Sequence, residues 1–87
     1  MAMDKNGLTK LVEECGELIA VAAKKQAYMD TDLHPDGSNL KERMEEEIAD
    51  VLAAIKFVEC RFRLNTITID HRMVEKFKLY EKWDKEK

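Results

Sequence analysis

Apolar residues recur at helical spacing along most of this chain. Leu8, Leu11, Val12, Cys15, Leu18, Ile19 and Ala22 follow the i, i+3, i+4, i+7 rhythm of a buried stripe, with Gln26 as a polar exception. The spacing predicts a first helix from about Leu8 to about Tyr28. Met29 to Asn39 then breaks the rhythm with Asp30, Asp32, Pro35, Asp36, Gly37, Ser38 and Asn39, all turn formers. Ser38 or Asn39 is the expected N-cap of a second helix, from about Leu40 to about Leu64 and ending near Asn65. Its stripe is Leu40, Met44, Ile48, Val51, Leu52, Ile55, Val58 and Phe62.

After a short Thr66-Ile67 connector, Thr68 is the expected N-cap of a third helix, with Asp70 favourable in its first turn. That helix runs toward Lys85, with Ile69, Met73, Phe77 and Tyr80 on one face and Val74 and Trp83 near it. The last residues, Asp84 to Lys87, are expected to fray. No segment alternates with the period of a strand. The expected fold is all-α: about three helices, two of them long, in a single domain spanning residues 1–87.

Composition sharpens this picture in three ways. An 87-residue chain buries only a thin core alone, so self-association into a four-helix-bundle-type core is expected. The net charge of −3 gives no global attraction to nucleic acid or to an anionic membrane. No apolar run reaches membrane-spanning length and no secretory leader follows Met1, which fits a cytoplasmic protein. Cys15 and Cys60 lack metal-site spacing and sit at apolar helical positions, where reduced core residues are expected.

The candidate chemistry lies in two acidic patterns 33 residues apart. Glu13-Glu14-Cys15-Gly16-Glu17-Leu18-Ile19-Ala20 and Glu46-Glu47-Ile48-Ala49-Asp50-Val51-Leu52-Ala53 share one form: two glutamates, two spacers, an acid, two apolar residues and an alanine. Carboxylates at i and i+3 point to one side of a helix. At about 100° per residue, Glu14 and Glu47 each fall at the edge of their own apolar stripe, with Glu17 and Asp50 about 60° behind. Glu13 and Glu46 turn further toward solvent. Either pair alone is the ordinary solvated face of an amphipathic helix. The repeat in sequence and phase leaves two readings level: two solvated faces, or a cup of four carboxylates facing across a helix pair.

Such a cup suits a hard divalent cation, Mg²⁺ above all with Mn²⁺ as a substitute, and Mg²⁺ shares its ligands with substrate phosphates. One carboxylate would then orient or deprotonate an attacking water. Lys10 and Lys25 fall within about 40° of Glu14, and Arg43 precedes Glu47 by one turn as Lys10 precedes Glu14. Each could complete the site or serve only as an ion-pair partner along its helix. His34 and His71 form no metal or nucleophile pattern. Phe77, Tyr80 and Trp83 could stack on a base, although core or dimer packing is the commoner use of such spacing.

These residues resemble the MazG-like all-α nucleoside triphosphate pyrophosphohydrolases. The signature E-x-x-E followed by E-x-x-D is Glu14-Cys15-Gly16-Glu17 and Glu47-Ile48-Ala49-Asp50, and Glu75-Lys76-Phe77 resembles the E-K-(F/M) of the family's later helix. The resemblance covers about Leu8 through Glu81. It implies Mg²⁺-dependent hydrolysis of a ribo- or deoxyribonucleoside triphosphate to monophosphate and pyrophosphate, for nucleotide-pool house-cleaning, by a homodimer or dimer of dimers. It implies Glu14, Glu17, Glu47 and Asp50 as metal ligands. Glu46, and with it Glu13, would support a second metal or the water, so that Glu14, Glu46 and Glu47 are the catalytic candidates. Lys76 would bind phosphate, as would Lys10, Arg43 and Lys25.

The chain departs from the pattern in its long inter-motif loop with a Pro-Gly turn, in Val74 where Asn is frequent, and in Tyr80 where a basic residue is frequent. Two competing readings are a phosphoribosyl-ATP pyrophosphatase and a non-catalytic helical interaction module.

Overall fold

A computed structural model describes residues 6–86. Three helices follow one another: α1 over Leu8–Ala27, α2 over Leu40–Phe62 and α3 over Thr66–Lys85. Among the described residues there is no strand, and an isolated antiparallel bridge joins Leu33 to Asn39. The chain is all-α, as the periodicity predicts. No helix among the described residues is long and apolar enough to cross a membrane.

Local chemistry sets the boundaries. α1 starts at Gly7, whose left-handed backbone (φ 78°) lets the chain turn into the helix, while the Leu8 N–H donates to Asn6 Oδ1 at 2.9 Å. It stops when the Tyr28 N–H bonds back to the carbonyls of Lys24 and Lys25, one residue earlier than expected. Of the two candidate caps for α2, Asn39 is the one used: its Oδ1 accepts the Glu42 N–H at 3.0 Å. α2 ends at Phe62 rather than Leu64, because Arg63 adopts a left-handed conformation (φ 52°) and the Leu64 N–H returns to the Glu59 carbonyl.

The N-cap of α3 is Asn65, not Thr68. Asn65 Oδ1 accepts the Thr68 N–H at 3.0 Å, which puts Thr66, Ile67 and Thr68 in the first turn. At the other end, Asp84 and Lys85 are helical rather than frayed; Lys87 lies outside the described residues.

The loop between α1 and α2 is tied to the end of α1 by Lys25. Its ammonium donates to the carbonyls of Tyr28 (3.3 Å) and Thr31 (3.0 Å) and to Asp32 Oδ1 (3.0 Å). A turn across His34–Gly37 closes with the Gly37 N–H on the His34 carbonyl, and Gly37 takes the positive φ of 90° that this turn needs. Asp36 accepts from both the Ser38 hydroxyl and the Ser38 N–H, which holds its carboxyl well below the usual range.

α1 and α2 pack together and enclose a small core of Val21, Leu40, Val51, Ala54 and Val58, with Leu40 and Val21 essentially sealed from solvent. The predicted stripes are only partly covered. Val12 and Ile19 on α1 are 73% and 69% exposed, and Ile48 and Leu52 on α2 also face outward. Each stripe is wider than one helix partner can cover.

α3 buries none of its residues, and Ile67, Met73, Val74, Phe77, Tyr80 and Trp83 are all exposed. The molecule is flat, about 41 × 40 × 14 Å, with a radius of gyration of 15.7 Å. A compact chain of this length has one of about 12 Å. Cys15 is half-buried and Cys60 exposed, both as free thiols, so the expectation that both are core residues fails for Cys60.

Candidate metal centre

The α1–α2 packing brings the two acidic patterns face to face. Glu14 and Glu17 lie one turn apart on α1, and Glu47 and Asp50 one turn apart on α2. One carboxylate oxygen from each of the four lies within 4.8 Å of all the others. The burial follows the predicted phase. The leading acids Glu14 and Glu47 are 7% and 8% exposed, at the edge of the core, while Glu17 and Asp50 open toward solvent.

The two buried glutamates are held in matching ways. Glu14 Oε1 is paired with the Lys10 ammonium at 3.2 Å, and Glu47 Oε1 faces the Arg43 guanidinium at 3.9 Å, each base standing one turn before its acid. The other oxygen of each, Glu14 Oε2 and Glu47 Oε2, is buried without a hydrogen-bond partner. Two orphaned acceptors in one cluster are costly in a folded protein and call for a cation or a proton.

The electrostatics of the cluster agree. The Glu17 pKa is raised, first by the negative charge of Glu14, then by burial and by Glu47. The Lys10 pKa is raised as well, chiefly by its hydrogen bond to Glu14. Four oxygen donors with two unpartnered atoms fit a hard divalent cation; among the described residues no nitrogen or sulfur donor joins them.

The other sequence candidates are distributed unevenly. Glu13 is tied to Lys10 at 3.3 Å, beside the cluster. Glu46 is exposed and is not one of the four clustered acids. Lys25 spends its ammonium on the loop. Lys76 stands on α3 in a groove lined by α3 residues alone.

Two features escaped sequence reading. A groove of about 400 Å³ opens beside the cluster, sharing Glu14 and Asp50 with it and bounded by Lys10, Ala53, Ala54 and Phe57. Glu59 is also buried, next to the Lys56 ammonium at 3.5 Å. The pair of small residues at 53 and 54 was the available signal for the groove, since small side chains leave room beside an aromatic one. Compared with known proteins, the chain matches no family model, no curated protein and no solved structure.

Proposed function

We propose that this chain is a Mg²⁺-dependent nucleoside triphosphate pyrophosphohydrolase of MazG-like type. The observation that carries the proposal is the four-carboxylate cluster with its two buried, unpartnered oxygens. Glu14, Glu17, Glu47 and Asp50 would hold the cation. When bound, it supplies positive charge to the phosphate oxygens and Lewis acidity at the reacting phosphoryl group.

The protein's own groups do the rest. Lys10 and Arg43 stand against Oε1 of Glu14 and Glu47, which leaves the buried Oε2 of each free to take a ligand. Glu46, exposed beside Glu47 in the chain and outside the four clustered acids, would support a second metal or the attacking water. Water adds to one of the two phosphorus atoms, the α–β bridging bond breaks, and monophosphate and pyrophosphate leave.

The active form in this reading is a homo-oligomer. The exposed apolar face of α3 and the uncovered edges of the α1 and α2 stripes support closure of a four-helix bundle by a second copy. Lys76 then meets phosphate only once α3 is packed in that assembly.

The deciding experiment is turnover of a panel of ribo- and deoxyribonucleoside triphosphates, and of phosphoribosyl-ATP, with Mg²⁺ and with a chelator. Pyrophosphate and monophosphate formed only with Mg²⁺ support the reading. Turnover of phosphoribosyl-ATP alone assigns the competing pyrophosphatase. No turnover of any substrate refutes an enzymatic role.

A further inference from the structure

The two buried acids of the cluster have matching companions. Lys10 stands four residues before Glu14 and Arg43 four residues before Glu47, and each meets Oε1 of its acid, at 3.2 Å and 3.9 Å. The ordinary reason for such pairs is helix stability, which does not account for these two. A helix gains more when the acid precedes the base, the reverse of the order here. Lys10 is also the third residue of α1 and Arg43 the fourth of α2, where the helix dipole favours acids over bases.

Positioning does not account for them either. Glu14 and Glu47 are fixed by burial at the edge of the core. The Lys10 and Arg43 side chains are more than a third exposed, and as single pairs such contacts contribute little. Their charge, however, acts on the whole cluster. Glu14, Glu17, Glu47 and Asp50 crowd together, and Glu13 adds a fifth acid 3.3 Å from the Lys10 ammonium. Neither base reaches the other buried oxygens, Glu14 Oε2 and Glu47 Oε2, which stay unpartnered.

We infer that Lys10 and Arg43 are resident counter-charges that hold down the affinity of the cluster for a divalent cation. The inference rests on the hydrolase reading above, which puts a cation at the cluster. Its new content is the sign of the effect: two residues beside the candidate ligands weaken the binding that the ligands provide. Before a cation binds, the two bases relieve part of the repulsion among the acids and so let the fold keep them together. Toward a dication the same two charges are repulsive, by about tenfold in affinity for each base in a partly solvated site. The cluster is thus built to take up its cation and give it back, not to store it.

The test is equilibrium binding of Mn²⁺ at pH 7, read from the electron paramagnetic resonance signal of the free ion, together with melting in chelator. Methionine keeps most of the side-chain stem and removes the charge. Lys10→Met should bind Mn²⁺ about tenfold tighter than wild type, yet melt a few degrees lower in chelator. Lys10→Arg keeps the charge and should match wild type in both readouts. Arg43→Met should shift both in the same directions by less, because its base stands farther from its acid; it decides the matter if Lys10→Met fails to fold.

A residue that merely supports Glu14 would give weaker Mn²⁺ binding on removal, so equal or weaker binding by Lys10→Met overturns the counter-charge alone. Tightening by Lys10→Arg as large as that by Lys10→Met does the same, since charge is then not the cause. No Mn²⁺ binding by wild type or by either methionine variant overturns the metal site of the hydrolase reading, and the counter-charge with it.

Discussion

Replacing Glu47 by Gln should invert the thermal stability order of variant and wild type according to whether Mg²⁺ is present. Glu47 Oε2 is buried and unpartnered, and one of the two Glu47 carboxylate oxygens lies within 4.8 Å of an oxygen from each of three other acids. At an effective dielectric of about 20, two unit charges at such a separation cost each other about 3 kcal/mol before screening. Arg43, 3.9 Å from Glu47 Oε1, offsets part of that, and solvent beside Glu17 and Asp50 screens more. A net relief of about 1–2 kcal/mol on neutralising Glu47 is a reasonable expectation. In a domain of this size each kcal/mol moves the melting temperature by about 4–8 °C.

In chelator, Glu47→Gln should therefore melt about 4–16 °C above wild type. At a Mg²⁺ concentration about a hundred times its dissociation constant, the wild type gains about 2.7 kcal/mol and the variant little. The order then inverts. Calorimetry at one fixed protein concentration, with and without Mg²⁺, reads both limbs. A wild-type melting temperature that ignores Mg²⁺, or a variant that keeps the full Mg²⁺ gain, refutes the metal assignment.

Other perturbations have defined signs. In chelator, stability should fall as pH rises from about 4.5 through the raised pKa of Glu17, because the folded state holds that proton more tightly than the unfolded chain. Melting temperature against pH reads this slope, and Glu17→Gln should remove it. Asp36 acts in the opposite sense: its lowered pKa gives stability that is present above pH 3.8 and lost as pH falls further, so Asp36→Asn should flatten the acid limb of the same curve. Gly7→Ala should cost about 2–4 kcal/mol in denaturant titration, from the positive φ and the collision with the Phe57 ring. Asn39→Ala removes the cap of α2 and should cost about 1 kcal/mol by the same measurement.

Helix periodicity carried most of the secondary structure, because stripes of apolar residues over twenty positions admit few alternatives. The carboxylate cluster was legible for a related reason: Glu14 and Glu47 share one phase against their own stripes, so packing α1 on α2 along those stripes turns both acids to one side, and the axial register, which phase does not set, brings them level. What covers each stripe was not legible. Val12 and Ile19 announce that α1 needs cover, but not that α2 covers only its other edge.

Asn65 and Thr68 are both capping residues in one run, and the sequence pattern alone favours neither position for the start of α3. Asn is the stronger N-cap, and Thr66 and Ile67 fit the first turn without strain. Cys60 was misplaced by the same logic as the stripes. Its helical position is apolar, but among the described residues it stays exposed. Ala53 and Ala54 read in sequence as helix formers, and their lack of bulk opens a groove only beside Phe57.

The exposure of α3 bears on how the chain holds its shape. An isolated helix of about twenty residues is marginal in water, and ordering its backbone costs about 1–2 kcal/mol per residue. Its own turns offset part of this, yet α3 buries no side chain against the rest of the fold. If a second copy covers α3, as in the assembly proposed above, dilution should act on α3 as a denaturant would. Circular dichroism should lose helical signal at constant temperature as the protein is thinned out, with α3 unwinding ahead of the α1–α2 pair.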